Sequence, residues 1–301
     1  MAWSIKEFFQ EIWSEYAKRF WYFAAILYVA TALSELLREG LLEILASYGV
    51  FGFSLDKAAV IPDALWSSIL SNPIIIVFAL GAAFFYLWGF AALYFSFQGS
   101  SIRNSIKEGL RNVWRYAAFV IVASVITFAG FALVSAPAFL LFDTFTDLPL
   151  YLADGETLNY VLVIPLAILF GIPAIYLWVA FSPGPFILLF EKVSVLQALG
   201  ESMRRINPHW WRVALILLAG LLMAGAAYAA SSWLIFSLKL MLAGDLSFRS
   251  ETILRIFLYI IPWVVAASFF DFLLYGLYRK TGYREFGGQN MVIDKNLPAQ
   301  K

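Results

Sequence analysis

The sequence predicts an all-α membrane protein, a polytopic bundle of six transmembrane helices. Of its 301 residues, 62% are apolar and only 14% are charged, whereas a soluble domain has about 45–50% apolar and about 25% charged residues. One soluble core cannot bury such an excess, because a large domain still needs a polar shell. We therefore expect a single integral membrane domain over residues 1–301.

Six windows have the roughly 20 mostly apolar residues that cross a bilayer. They cover residues 20–37, 73–97, 116–139, 158–182, 211–236 and 254–278. The fourth contains Pro165 and Pro173 and is followed by Pro183 and Pro185. A proline lacks the N–H that would bond a helix carbonyl, so these four prolines are candidate hinges. For Pro183 and Pro185, a turn that ends the span is the favoured alternative.

Amphipathic helices are predicted before the odd-numbered spans, over residues 3–18, 100–113 and 193–206. In each stretch, apolar residues recur at spacings of three and four and so form one helical stripe. Helices of this kind lie in the plane of the membrane interface. In the second stretch the stripe consists of Ile102, Ile106, Leu110 and Val113.

The second and third stretches align without a gap at an offset of 93 residues. Ser101, Glu108 and Arg111 match Ser194, Glu201 and Arg204, and Trp114-Arg115 matches Trp211-Arg212 after a four-residue insertion. The pattern predicts three parallel repeats, each an amphipathic helix followed by a transmembrane hairpin. The alternative is that basic juxtamembrane segments resemble one another in general.

A family resemblance is carried by the run from Phe190 to Arg205, followed by Trp210-Trp211-Arg212. It resembles a signature in which an acidic residue, a hydrophobic residue, Ala-Leu, Ser and a basic residue precede Trp-Arg at the start of a span. The signature belongs to a six-helix membrane family that includes the membrane domain of glycerophosphodiester phosphodiesterases and stand-alone relatives. The resemblance implies a membrane module and carries over no catalytic residue.

The distribution of basic residues predicts the orientation of the bundle. Of the 21 Lys and Arg residues, 16 lie on the side of the two termini and 5 on the other side. By the positive-inside rule we expect both termini to lie in the cytoplasm. We expect the membrane to be the plasma membrane. The cytoplasmic candidates for lipid-headgroup binding are Arg103, Lys107, Arg111, Arg115, Arg204, Arg205 and Arg212.

Two acidic residues fall inside or beside spans, where burial of a charge is costly unless it is paired. Asp271, in the sixth span, is either a proton or cation site or, as we favour, part of an ion pair or a helix–helix hydrogen bond, with Arg115 and Arg212 as candidate partners. Glu35 is expected to pair with Arg38, three residues later. In the fifth span, Gly220 with Ala224 and Gly225 with Ala229 favour close helix packing, inside the bundle or between protomers.

Composition excludes several kinds of active site. The chain has no Cys and one His, so it has no thiolate or multi-histidine metal site and no thiol nucleophile. Its net charge of +1 gives no reason to expect nucleic acid. We predict no enzymatic activity, no cofactor and no metal.

The first functional hypothesis is a scaffold, assembly partner or membrane-organising module with a lipid-binding cytoplasmic face. Membrane lipids are its expected partners, and a homo-oligomer or another membrane protein is left open. The alternative is a transporter or channel for a lipid, small amphiphile or ion that uses Asp271 and the proline-interrupted fourth span.

The predicted topology is tested by single cysteines. Cysteines introduced at Ser4 and Gln289 should not react with an impermeant thiol reagent in intact cells, because both termini are expected in the cytoplasm. A cysteine at Asp154, in an outer loop, should react. Labelling of either terminus from outside would reject this layout.

Overall fold

The computed structural model describes residues 4–47, 72–144, 160–242 and 248–282, and within these ranges the secondary structure is helical. The helices are α1 (Ile5–Ser47), α2 (Pro73–Phe97), α3 (Ile102–Thr144), α4 (Tyr160–Phe181), α5 (Gly184–Phe190), α6 (Val195–Ile206), α7 (Trp210–Leu242) and α8 (Phe248–Gly282). Six helical segments are long and apolar enough to cross a membrane, which confirms the predicted fold class. Residues 158–159 of the predicted fourth span and the labelling positions Asp154 and Gln289 lie outside the described residues.

The amphipathic stretches differ from their prediction in two of three cases. Residues 5–18 and 102–113 are not separate helices, because α1 and α3 each run for 43 residues from the amphipathic stretch into the span. Only the third stretch forms its own helix, α6, which a capping box of Ser194 and Gln197 begins. The 3₁₀ turn Asn207–His209 then separates α6 from α7.

Pro208 explains why only the third stretch is separate. A proline lacks the N–H that would continue the helix, and it lies in the insertion that interrupts the alignment with the second stretch. At the corresponding point of α3, Val113 is followed directly by Trp114, so the helix continues. The arrangement of the chain as three repeats stays a prediction.

The fourth span also differs from its prediction at its end. Residues 183–190, expected in a loop outside the membrane, contain the short helix α5, which is buried from Phe186 to Leu189. Ser182 and Pro183 form the turn before it, and both the N–H and the hydroxyl of Ser182 donate to the carbonyl of Val179. Helix α4 continues through Pro165 and Pro173, so the one break in this region lies at Pro183.

The packed core lies at one end of the bundle, which we call the basic end: the end where α1, α3 and α7 begin and α2 and α8 finish. In α2 every residue from Gly89 to Phe97 is buried, whereas Ile74, Val77 and Leu80 near its other end are exposed. Aromatic rings fill this core, with ring centroids 4.9 Å apart for Phe23 and Phe97 and 4.7 Å apart for Tyr94 and Phe186. Exposed apolar side chains away from this end suit contact with lipid.

Glycine allows α2 and α3 to approach closely at the basic end. A Cβ atom on Gly109 would lie 2.7 Å from the Cα and backbone nitrogen of Ala92. Because the obstacle is backbone, it cannot rotate away as a flexible side chain could. Gly200 of α6 provides a contrast, since a Cβ there would meet no atom within 4 Å.

The two glycines define a test of this packing. Gly109→Ala should lower the free energy of unfolding by about 1–3 kcal/mol, the usual cost of overpacking. Gly200→Ala should be neutral or stabilising by up to about 1 kcal/mol, because alanine favours the helix and meets open space. Thermal unfolding in detergent measures both, and equal stabilities of the two variants would contradict the close α2–α3 contact.

Candidate functional site

The most deeply placed acidic group is Asp271 of α8, which is 6% exposed. The hydroxyl of Tyr94 on α2 lies 3.3 Å from its Oδ1 atom and donates to it. The same hydroxyl lies 3.4 Å from that of Tyr116 on α3. Two phenols and one carboxyl group thus connect three spanning helices inside the aromatic core.

The expected cationic partner of Asp271 is not found. Arg115 donates instead to the backbone carbonyl of Val193, at 2.8 Å, and Asp271 forms no ion pair with any described residue. Arg212, the other expected partner, lines a surface groove. Asp271 is therefore held by a neutral hydrogen-bond donor, Tyr94. Because Tyr94 lies on another helix, the sequence around Asp271 does not predict this partner.

A second polar contact lies one turn earlier on α8. The hydroxyl of Tyr16 on α1 lies 2.9 Å from Oγ of Ser268 and 3.3 Å from the carbonyl oxygen of Val265. Buried hydroxyl groups of this kind must find partners, since leaving one unpaired costs about 1–3 kcal/mol. Together, Ser268 and Asp271 connect α8 to α1 and α2 by hydrogen bonds between buried groups.

Arg205 occupies a different environment from the lipid-facing one expected for it. Its side chain is 5% exposed, and its guanidinium donates to both carboxylate oxygens of Glu191, at 2.8 and 2.9 Å. Its Nε also donates to Glu201 at 2.7 Å, and the Tyr278 hydroxyl donates to Glu191 at 3.2 Å. A buried guanidinium needs such bidentate partners, so Arg205 holds α6 to the residue that follows α5, Tyr278 extends the contact to α8, and Arg205 is not placed to meet headgroups.

Other charges at the basic end are also paired. Arg204 donates to both oxygens of Glu201, at 3.0 and 2.9 Å. Arg279 and Lys280 of α8 pair with Glu15 and Glu11 of α1, at 2.8 and 2.7 Å. These pairs are partly exposed, so each contributes at most about 1 kcal/mol, but they fix which faces of α1 and α8 meet.

The basic side chains of one surface at this end form no ion pair with a described carboxylate, and we call this surface the α3 flank. It contains Arg103, Lys107 and Arg111, which are exposed and form no ion pair with a described residue. Beside them Ile102, Ile106 and Leu110 are 43%, 37% and 53% exposed. The predicted apolar stripe therefore faces outward over most of its length, while the opposite side of α3, with Ser105 and Gly109, packs towards the protein.

Three exposed tryptophans lie on the helices that begin at the basic end. Trp21, Trp114 and Trp211, on α1, α3 and α7, are 81%, 72% and 77% exposed. They do not share one level along the bundle: Trp114 lies beside Phe84 of α2, with ring centroids 6.0 Å apart, whereas Tyr22, next to Trp21, donates to the carbonyl of Ser100 beyond the end of α2. The α3 flank lies immediately before Trp114 in the chain.

An open groove of about 590 Å³ adjoins Trp211. Its walls come from α4, the 3₁₀ turn and the start of α7, and it is lined by Ile172, Tyr176, Asn207, Pro208, His209, Trp210, Trp211 and Arg212. The Tyr176 hydroxyl donates to Oδ1 of Asn207 at 2.9 Å, and Trp210 stacks on Tyr176 with centroids 5.6 Å apart. Local sequence patterns do not predict this groove, because its two walls are about 30 residues apart in the chain.

The remaining predicted positions are also located. Glu35 pairs with Arg38 at 2.6 Å, as expected. Gly220 and Ala224 are buried inside the bundle, and a Cβ on Gly220 would lie 2.9 Å from Leu273 of α8. Gly225 and Ala229 face outward instead, away from the rest of the chain. Within the described ranges no cluster of three metal-ligating side chains occurs.

The role of Asp271 is tested through its donor. Tyr94→Phe should lower the free energy of unfolding by about 1–3 kcal/mol, because it removes the donor to a buried carboxyl group. Asp271→Asn should be tolerated, since its amide oxygen still accepts the Tyr94 hydroxyl. Tyr228→Phe is the matched control, because Tyr228 is exposed on α7 and its hydroxyl enters no described bond. Thermal unfolding in detergent gives the order of stability.

Asp271→Leu separates a structural role from a transport role. It should destabilise the protein by less than the roughly 3–5 kcal/mol lost when a buried ion pair is broken, because Tyr94 retains the Tyr116 hydroxyl. A fully stable Asp271→Leu protein that loses proton or cation flux in vesicles would contradict the structural role.

Comparisons with known proteins leave the resemblance to the membrane domain of glycerophosphodiester phosphodiesterases as a prediction. No protein-family model matches the chain, and neither a curated protein nor a solved structure matches it significantly. The function is therefore argued from the residues described above.

Proposed function

We propose that the protein is a non-enzymatic plasma-membrane module whose basic end faces the cytoplasm and binds anionic lipids. In this role it organises the membrane or serves as a scaffold for another membrane protein. The observation that carries the proposal is the α3 flank, where an uncovered apolar stripe lies beside three exposed basic side chains. Acidic phospholipids of the cytoplasmic leaflet have the matching chemistry, because they offer negative phosphates above an apolar layer.

The way α3 packs supports this proposal. Small residues face α2, and Gly109 lies directly against Ala92, so the larger apolar residues of this segment point away from the protein. In a soluble protein, Ile106 and Leu110 would be exposed to water, and the free energy that their burial could contribute would be lost. At a membrane surface the same side chains enter the boundary between headgroups and hydrocarbon.

The three basic residues of the α3 flank are spread along its axis. At a rise of 1.5 Å per residue, Arg103 and Arg111 are about 12 Å apart, with Lys107 midway between them. The flank therefore offers positive charge along a line rather than at one point.

The proposed orientation of the protein in the membrane rests on the distribution of its charged residues. The excess of Lys and Arg at the basic end favours the cytoplasmic side by the positive-inside rule. Arg204 and Arg205 are paired with acidic residues, and Arg115 donates to the Val193 carbonyl, so the proposal rests on Arg103, Lys107 and Arg111. Transport of a lipid, small amphiphile or ion remains the alternative function, with less support, because Asp271 and its donor Tyr94 are both buried.

Lipid retention tests the proposal. Arg103→Gln, Lys107→Gln and Arg111→Gln together should lower the retention of phosphatidylglycerol relative to phosphatidylcholine when the protein is solubilised from mixed vesicles. Each basic group near the surface contributes about 1 kcal/mol, so loss of all three groups should weaken binding by about two orders of magnitude. Lipid mass spectrometry measures the retained ratio, and any one of the three changes alone should have a smaller effect.

The matched control keeps the charge. Arg103→Lys with Arg111→Lys should retain phosphatidylglycerol at the wild-type ratio, and high salt should reduce retention for both proteins. An unchanged ratio in the triple glutamine variant would contradict the proposal. It would mean that these residues determine only the orientation of the protein in the membrane.

A further inference from the structure

We propose that the turn between α5 and α6, residues 191–194, is a binding site for a phosphate group. The phosphate is held by the backbone N–H groups of Lys192 and Val193 and by the ammonium group of Lys192. This inference goes beyond the proposed function, because it assigns one defined site that depends neither on the α3 flank nor on the orientation of the protein in the membrane. The phosphate belongs to a lipid headgroup or is free phosphate, and both offer the turn the same chemistry.

The backbone of the turn has the conformation of an anion-binding nest. Glu191 is in the right-handed helical region, with φ of −89° and ψ of −5°, and Lys192 follows with φ of 56°, in the left-handed region. In such a succession, neighbouring N–H groups point into one concavity that accepts an anion. The N–H of Glu191 donates to the carbonyl of Ile187, but the N–H groups of Lys192 and Val193 have no acceptor among the described residues. Two adjacent donors are therefore available to a ligand.

The side chain of Lys192 adds a positive charge beside these two donors. The left-handed region is strained for a residue with a Cβ atom, whereas glycine adopts it freely, so glycine would end α5 with less strain. Lys192 is exposed and forms no ion pair with a described residue. Strained backbone of this kind is concentrated at functional sites. Here it carries a cation next to two unbonded donors, which indicates a site for an anion.

The charges around the turn leave it positive. Glu191, the one acidic residue of the turn, is bound by Arg205 through both carboxylate oxygens, at 2.8 and 2.9 Å. Arg115 of α3 donates to the carbonyl oxygen of Val193 at 2.8 Å, which holds the turn against α3 and places a second cation beside it. An anion at the turn therefore meets two cationic side chains, while the carboxylate of the turn is already neutralised.

The donors suit a phosphate group. Two N–H groups and one ammonium group can bind three different phosphate oxygens, and lysine is a common phosphate ligand because its compact charge adapts to the position of the anion. A carboxylate offers only two oxygens, both in one plane, and matches this set less well.

The α2–α3 turn provides an internal comparison. In the alignment at an offset of 93 residues, Lys192 corresponds to Gly99, which has φ of 84°. Each lies two positions before the serine that caps the next helix. The N–H of Gly99 donates to the carbonyl of Ser96 at 3.0 Å, so that turn has one fewer unbonded donor. Glycine thus occupies the left-handed position where the N–H is bonded, and lysine occupies it where the N–H is unbonded.

Thermal unfolding of the full chain in a neutral detergent tests the proposal in two arms at constant ionic strength. One arm titrates inorganic phosphate against chloride, and the other titrates phosphatidic acid against phosphatidylcholine in mixed micelles. At least one phosphate compound should raise the Tm of the wild type with a saturable dependence. Lys192→Gln should weaken the apparent affinity about tenfold, the effect of one lost charge-assisted hydrogen bond.

The two arms distinguish the source of the phosphate group. A Lys192-dependent response to phosphatidic acid alone assigns the site to a lipid headgroup, and one to inorganic phosphate assigns it to free phosphate. No saturable response to either compound, or equal affinities of the wild type and folded Lys192→Gln, would overturn the proposal.

Lys192→Gly separates binding from folding. Without a phosphate compound its Tm should be about 2–4 °C above that of the wild type, because glycine relieves the strain, but its affinity should fall as in Lys192→Gln. Lys6→Gln is the matched control, because it removes one exposed charge from the start of α1 and should bind like the wild type. The triple glutamine variant of the α3 flank should also bind like the wild type, so the turn and the flank can fail independently.

Discussion

The insertion of the short helix α5 into the basic end is the contact on which the rest of the structure depends. Phe186 packs on Tyr94 of α2, and on Tyr275 and Tyr278 of α8, while Gly184 lies against Phe119 of α3. Seven residues therefore join the neighbouring helices α2 and α3 to α8, which lies far from them in sequence. This is feasible only because the turn at Pro183 returns the chain into the bundle and satisfies its own backbone groups, with Ser182 covering the carbonyl of Val179. A loop outside the membrane would leave the aromatic core without its centre.

Burial at this end decides what each charged residue can do. Arg205 is enclosed, so it must be paired, and Glu191 and Glu201 provide the carboxylates. Asp271 is enclosed too, but its described donor is the hydroxyl of Tyr94. The exposed basic residues of the α3 flank form no ion pair with a described residue, whereas Arg204, also exposed, is paired with Glu201. Packing therefore decides which basic residues are enclosed, and charge alone does not reveal it.

Two segments of similar sequence give two different surfaces. The segment of α3 continues as one helix and presents a basic and apolar flank. The segment of α6 ends at Pro208, and the turn that follows forms a groove with Tyr176 of α4. We propose that the flank binds anionic lipid through distributed charge. A bundle with such contacts on one side would be anchored in a fixed orientation, which suits a membrane-organising or scaffolding role.

The sequence by itself determined the fold class, the six spans and the pairing of Glu35 with Arg38, because each depends on hydropathy or on neighbours within one helical turn. It also indicated Gly220 and Ala224 as packing residues, although not which helix they contact. Only the tertiary structure decided that residues 183–190 return into the core, that Arg205 is buried and that Tyr94 is the partner of Asp271. These outcomes depend on contacts between residues separated by as many as 177 positions. Periodicity and local spacing report which face of a helix is apolar, but the packing of other helices decides whether that face meets protein or lipid.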